Sequence, residues 1–219
     1  MAGLKGVADA AARGIPLGVE FDARRTADGT LVTVHDADIH FEWDGIRKHM
    51  VYCDDFYPSL QHYLGANCPP ELSLAVEVVG KGVPLIDVDI KERGYTQAVV
   101  DACANVDPTT INYSSHIPDV VTEARKFAPK ESKVGMSVSE FWRNDEARLL
   151  DLVYTTGADF LFAHYSLITE SLITRLHDDG KEIGAYTVND QALLHELIEI
   201  GVDYPCTDKP EMAIAELAD

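Results

Sequence analysis

The sequence predicts an α/β fold of the (β/α)8 TIM-barrel type, with residues 1–219 forming a single domain. Short apolar or β-branched runs alternate with helical patterns along most of the chain, as in parallel strands joined by helical crossovers. Polar residues such as Asp22, Lys91 and Ser114 recur where predicted strands end, and the carboxyl ends of strands form the active face of a barrel. The alternative is a doubly wound sheet, but no glycine-rich dinucleotide motif follows a predicted strand.

The predicted elements follow from residue periodicity. An apolar stripe over residues 3–13 predicts a helix that ends at Gly14, and the first strand follows at 17–22. The later strands are predicted at 85–90, 109–113, 133–138, 159–163, 182–188 and 203–207, and the helices at 96–104, 118–127, 145–155, 169–178 and 190–200. The segment 37–72 lacks this alternation, and its length predicts an insertion or a lid over the barrel mouth.

Two of the predicted strands carry charged residues on one face. Side chains alternate along a strand, so Glu20 and Asp22 share a face, as do Asp87, Asp89 and Lys91. Grouped carboxylates repel one another unless a cation lies between them, and hard oxygen ligands suit Mg²⁺ or Ca²⁺. The alternative for each strand is a solvent-exposed outer face. Two such strands together favour a site for one divalent cation.

A turn after the first acidic strand brings a histidine back toward these carboxylates. Asp28 and Gly29 form a turn signal, and the run that follows ends in His35 and Asp36. A titratable side chain is therefore expected near the acidic cluster.

Composition limits the classes of partner. Acidic residues outnumber basic ones 37 to 18, and the formal charge of −19 disfavours nucleic acid and anionic membrane surfaces. No apolar run has the length of a signal peptide or a membrane span, so we expect a cytoplasmic protein without stable membrane association. The four cysteines are scattered, which indicates neither a zinc site nor a disulfide framework. A small molecule is the expected partner.

Five segments, collinear along the chain, carry a resemblance to a known family. They are GVEFDARRTADGTLVTVHD (18–36), IDVDIK (86–91), INYSS (111–115), GAYTVND (184–190) and GVDYPCTDKP (201–210). They resemble, in that order, five motifs of the glycerophosphodiester phosphodiesterase family. These motifs are a Glu-x-Asp strand with its turn and His-Asp, a Glu-x-Lys strand, a Ser-Phe strand end, a Trp-Thr-Val-Asn strand and a closing Thr-Asp-x-Pro. Asp89 stands where the family has Glu.

The resemblance implies a metal-dependent phosphodiesterase that hydrolyses a glycerophosphodiester to an alcohol and glycerol phosphate. By this similarity, Glu20, Asp22 and Asp89 bind one Mg²⁺ or Ca²⁺ ion, and His35 is a catalytic acid or base. Lys91 is expected to face the phosphate and to balance the charge that develops there.

Three further side chains are expected to bind substrate. His116 and His164 follow predicted strands, and Tyr186 stands where the family has Trp. For His116 the alternative is a ring that only fills space.

The resemblance also predicts a barrel without its first strand. Family members begin with a strand ending in His-Arg-Gly, whereas Met1 falls just before the first helix. Three interpretations follow: a truncated gene model of an active enzyme, a diverged enzyme that recruits His116 or His164, or a catalytically inactive protein that binds phosphorylated metabolites. An open barrel edge would invite pairing with a second copy of the chain, so a homo-oligomer is expected.

Overall fold

The protein is described by a computed structural model that covers residues 10, 12–80, 82–142 and 145–218. Most of the helix predicted over 3–13 lies outside the described residues. None of the helices in the described part of the chain combines the length and the apolar character needed to cross a bilayer.

The described strands form a curled sheet and a separate hairpin. The strands are β1 (Val19–Arg25), β2 (Leu31–Thr33), β3 (Asp38–Trp43), β4 (Ile46–Val51), β5 (Ile86–Ile90), β6 (Ile111–Ser115), β7 (Val134–Val138), β8 (Phe160–His164), β9 (Glu182–Tyr186) and β10 (Tyr204–Pro205). The eight-stranded sheet has the order β10-β9-β8-β7-β6-β5-β1-β2, and β3 pairs with β4. All neighbours in the sheet are parallel except β1 and β2. The predicted α/β barrel class is confirmed.

Helical crossovers connect the parallel strands. The described helices are α1 (Tyr57–Leu64), α2 (Leu72–Val79), α3 (Thr96–Ala102), α4 (Pro118–Phe127), α5 (Glu146–Thr156), α6 (Glu170–Asp178), α7 (Gln191–Glu199) and α8 (Pro210–Ala218). Five of them, α3 to α7, coincide with predicted helices to within about two residues. Side-chain caps begin several of them: Thr169 accepts from the Leu172 N–H at the start of α6, and Asp190 accepts from the Leu193 N–H at the start of α7.

The segment 37–72 is more regular than the sequence predicted. It contains the β3–β4 hairpin and α1, whose buried side chains Met50, Tyr52, Leu60 and Leu64 form a small core of their own. The hairpin turns at Asp44 and Gly45, which both have positive φ (50° and 72°). An Asp-Gly pair suits such a turn. That signal was present in the sequence, but the strands beside it carry charged and histidine side chains instead of an apolar alternation. A role as a lid stays a prediction.

The main core lies between the sheet and its helices. Strands β6 and β7 are buried along their whole length, which is typical of parallel strands covered on both faces. The buried hydroxyl of Tyr95, just before α3, donates to the carbonyl of Ala23 at 2.8 Å and so ties β1 to the helical layer. The core therefore holds β1 and β5, the two acidic strands, in a defined position.

The barrel wall is open between β1 and β10. In the described residues β10 pairs only with β9, and β1 pairs with β2 only at its end, over 23–25. A cavity of about 710 Å³ lies at this opening, lined by apolar side chains that include Leu17, Val19, Phe162 and Leu194. The expected association of two chains through this edge stays a prediction.

Candidate active site

Register brings the acidic residues of two strands side by side. On β1 and β5, Glu20 pairs with Asp87 and Asp22 pairs with Asp89. One ligand oxygen from each of Glu20, Asp22 and Asp89 lies within 4.8 Å of the others. The three carboxylates that the resemblance implied as ligands thus converge on one point.

Lys91 lies directly beside this cluster. Its Nζ is 2.5 Å from Asp22 Oδ1 and 2.6 Å from Asp89 Oδ2, and little of the side chain reaches solvent. Desolvation disfavours the ammonium, but the charges of Asp89 and Asp22 outweigh it and raise the pKa of Lys91. The side chain is therefore a fixed positive charge next to the carboxylates.

Some carboxylate oxygens in this cluster of Glu20, Asp22, Asp87 and Asp89 accept no hydrogen bond from the described residues. Ser114 donates to Asp87 Oδ2 at 2.7 Å, whereas Asp87 Oδ1 and Asp89 Oδ1 are buried and have no hydrogen-bond partner among the described residues. Desolvation, followed by the charges of Asp22, Asp89 and Asp87, raises the pKa of Glu20. Desolvation also raises the pKa of Asp87 to about 7. Four carboxyl groups against one ammonium leave a strong negative potential at this point.

These residues fit a hard divalent cation. Oxygen ligands lie about 2.0–2.1 Å from Mg²⁺ and about 2.3–2.6 Å from Ca²⁺, so two ligands of one ion are at most about 4 Å apart around Mg²⁺ and about 5 Å apart around Ca²⁺. One oxygen from each of Glu20, Asp22 and Asp89 lies within 4.8 Å of the others, which falls inside the limit for Ca²⁺. Among the described residues, Asp89 Oδ1 has no hydrogen-bond partner, so this buried oxygen is available to a cation.

His35 lies next to the cluster through its backbone, but its ring is open to solvent. The Val34 N–H donates to the Asp22 carbonyl at 2.9 Å, which places this segment beside β1. The side chain of His35 is 76% exposed, and its Nδ1 lies 3.0 Å from Asp36 Oδ1. The turn thus brings the backbone of this segment beside β1, and the role of the His35 ring stays a prediction.

The predicted substrate-binding residues lie at the carboxyl ends of three barrel strands: His164 and Tyr186 end theirs, and His116 directly follows β6. His164 and Tyr186 are register partners on β8 and β9, with ring centroids 6.1 Å apart. The Tyr186 hydroxyl donates to the Val138 carbonyl at 2.9 Å, and burial, together with the Asp89 charge, raises its pKa to about 12. Desolvation lowers the pKa of His116, with Asp89 opposing it, although the ring still reaches solvent. The negative charge of Asp89 therefore acts to raise the pKa of both His116 and Tyr186.

Arg24 is a residue of the site to which the sequence pattern assigned no role. It shares the face of Glu20 and Asp22 on β1, forms an ion pair with Glu92, and donates from Nε to the His35 carbonyl at 2.9 Å. Its position two residues after Asp22 was the available signal, because alternate residues of a strand share a face. Arg24 holds the His35 segment against the barrel.

The model of the glycerophosphoryl diester phosphodiesterase family matches residues 81–212. No curated protein matches the chain significantly.

Solved structures resemble the whole described fold. A glycerophosphodiester phosphodiesterase from Thermotoga maritima is 22% identical, with a TM-score of 0.77 and coverage of 97% of this chain and 90% of that chain. A glycerophosphodiester phosphodiesterase from Parabacteroides distasonis is 22% identical, with a TM-score of 0.74 and coverage of 98% and 89%. A phosphodiesterase from Oleispira antarctica, solved with the product sn-glycerol-3-phosphate, is 20% identical, with a TM-score of 0.77 and coverage of 99% and 90%. At these identities the likeness shows the fold.

Proposed function

We propose, from the premise that this chain belongs to the glycerophosphoryl diester phosphodiesterase family, that it hydrolyses a glycerophosphodiester to an alcohol and glycerol phosphate with the help of one Mg²⁺ or Ca²⁺ ion. The observation that carries the proposal is the convergence of Glu20, Asp22 and Asp89 beside Lys91. The product bound to the Oleispira antarctica protein, sn-glycerol-3-phosphate, supports a substrate of this class.

In this proposal Glu20, Asp22 and Asp89 hold the cation. When bound, a divalent ion supplies Lewis-acid polarisation of a phosphoryl oxygen. The β1–β5 register would position these three carboxylates, on two adjacent strands, to hold the ion. Asp89 is shorter by one methylene than the Glu of the family, so its carboxylate would hold the ion from closer to β5.

Lys91 supplies the second positive charge. Its ammonium lies at the edge of the carboxylate cluster, at hydrogen-bond distance from two of the proposed ligands. A phosphate oxygen that approaches the cluster meets this ammonium, which stabilises the negative charge that grows as the nucleophile adds. The raised pKa of Lys91 keeps it protonated at neutral pH.

His35 transfers the proton in this scheme. Its exposed ring accepts a proton from the attacking hydroxyl or donates one to the leaving oxygen, and Asp36 orients it through Nδ1. Arg24 keeps the histidine close by its hydrogen bond to the His35 carbonyl.

We expect the purified chain to release glycerol phosphate from glycerophosphodiesters only when Mg²⁺ or Ca²⁺ is present, and chelation by EDTA to stop the reaction. His35→Ala should lower turnover by about 10²-fold or more, because a general acid or base contributes about 10²–10⁴-fold. Coupled detection of glycerol phosphate measures both effects. His177→Ala is the matched control, since this exposed histidine pairs with Asp203 in another part of the fold. Wild-type turnover in His35→Ala would contradict the assignment of His35.

The alternative is a catalytically inactive protein that binds phosphorylated metabolites. In this alternative the carboxylate cluster and Lys91 bind the phosphate, and His35, whose ring contacts Asp36 at the surface, transfers no proton. Calorimetric binding of glycerol phosphate combined with no metal-dependent turnover would select it over the enzyme.

Lys91→Met tests whether the ammonium of Lys91 offsets the negative charges of Asp22 and Asp89. Both the free energy of unfolding and the turnover of the variant measure this. Removal of one partner from a buried ion pair costs about 3–5 kcal/mol, and here Asp22 and Asp89 both lose their nearest cation. We therefore expect Lys91→Met to unfold at lower urea concentration in EDTA, and Mg²⁺ to restore more stability to the variant than to the wild type.

Turnover of Lys91→Met should fall by about 10²–10³-fold. Lys126→Met, on the surface helix α4, is the control. Equal urea midpoints for Lys91→Met and wild type in EDTA would contradict the proposed charge balance.

A further inference from the structure

The β3–β4 hairpin presents two histidines face to face. His40 on β3 and His49 on β4 are direct register partners, so they lie on the same face of the hairpin. Their rings stack with centroids 4.2 Å apart and an interplanar angle of 17°. Two imidazoles thus project from adjacent strands into the same volume, and neither is used in the proposed reaction.

A carboxylate completes the group. Asp38 lies two residues before His40 on β3, and its Oδ2 is 2.7 Å from His49 Nε2. One ligand atom from each of Asp38, His40 and His49 lies within 4.8 Å of the other two. An arrangement of two imidazole nitrogens and one carboxylate oxygen is a common set of protein ligands for zinc.

The hairpin holds these side chains in a defined geometry. Six residue pairs run from Asp38–Val51 to Trp43–Ile46, and the turn at 44–45 closes them. On the other face, Ile39 and Phe41 pack against the small core formed with α1. Because the backbone is anchored on that side, Asp38, His40 and His49 share the opposite face of the hairpin.

We propose that Asp38, His40 and His49 form a second metal site that binds one Zn²⁺ ion. Imidazole nitrogen favours zinc over the hard cations that the carboxylate cluster suits, so the two sites differ in the ion they select. The side chains of His49 and Asp38 are 47% and 44% exposed, which leaves the solvent side open for a water as the fourth ligand.

The bound ion would connect the two strands of the hairpin. A two-stranded sheet is marginally stable without further packing, and β3 begins at Asp38, close in sequence to His35. Ligands from both β3 and β4 make zinc a cross-link near the segment that carries His35. This inference does not rest on the proposed hydrolysis.

Titration of the full chain with Zn²⁺ tests the proposal by isothermal calorimetry, in excess Mg²⁺ so that the carboxylate cluster does not compete. We expect one saturable site in the wild type. His40→Ala and His49→Ala should each weaken zinc binding by about 10-fold or more, because even loss of a group that only supports a ligand costs about 10–100-fold. Imidazole NMR signals of both histidines should shift with zinc and not with Mg²⁺.

Two controls separate this site from adventitious binding. His195→Ala removes an exposed histidine that contacts the carboxylates of Glu199 and Glu216 but has no histidine partner in the described residues. Cys53→Ser removes an exposed thiol. Both should bind zinc as the wild type does. Unchanged zinc affinity in the double variant His40→Ala/His49→Ala, with circular dichroism showing a folded chain, would overturn the proposal, as would equal losses in the controls.

Discussion

Asp89→Asn is expected to lower the divalent-ion-dependent hydrolysis by about 10³-fold or more. The change keeps the size of the side chain and removes the charge from one of three converging ligands, one oxygen of which is buried without a partner. Metal polarisation of a phosphoryl oxygen contributes several kcal/mol to the transition state, and about 4 kcal/mol corresponds to 10³-fold in rate. Initial rates across a Mg²⁺ series measure the effect as lower turnover with a weaker apparent ion affinity.

Two companion variants sharpen this test. Asp89→Glu restores the longer side chain that the family carries at this position and keeps the charge, so its turnover should stay within about 10-fold of the wild type. Asp119→Asn changes an exposed carboxylate that pairs with Arg93, and its turnover should be unchanged. Full ion-dependent activity in Asp89→Asn, with the fold intact by circular dichroism, would show that Asp89 is not a ligand of the ion. The convergence of three carboxylates would then no longer support the proposed mechanism.

Gly135→Ala is expected to destabilise the barrel by about 3 kcal/mol or more. A Cβ at residue 135 would lie 2.1 Å from Cε2 and 2.2 Å from Cζ of Phe160, the register partner on β8. Phe160 is 2% exposed and lines the cavity between β1 and β10. Overpacking of a core costs about 1–3 kcal/mol and occasionally more, and an overlap with a buried ring belongs at the upper end. Urea unfolding followed by circular dichroism measures the loss.

A double-mutant cycle identifies the cause of that loss. Phe160→Leu shortens the side chain that the new methyl group meets, so the added cost of Gly135→Ala should be much smaller in that background. The coupling should be about 1 kcal/mol or more in the direction of rescue. Gly135→Ala costs of equal size in both backgrounds would show that the ring is not what excludes a side chain from residue 135.

The β3–β4 hairpin and α1 are more regular than the local sequence pattern predicts. The segment 37–72 was expected to be irregular because polar and apolar residues do not alternate cleanly there, yet β3, β4 and α1 all form. The stabilising contacts are between segments, from Met50 and Tyr52 to Leu60 and Leu64, and such contacts leave little trace in a single window of sequence. The turn at 44–45 was the one local signal.

The sequence by itself determined the barrel class and the faces on which the acidic residues lie. Both depend on local periodicity, since a strand places alternate residues on one side whatever surrounds it. Only the tertiary structure decided which carboxylates meet: the pairing of Glu20 with Asp87 and of Asp22 with Asp89 depends on the register of two strands more than 60 residues apart. It also decided that Lys91 contacts Asp22 and that the His35 ring faces solvent. Those features come from packing between distant segments, which no local pattern specifies.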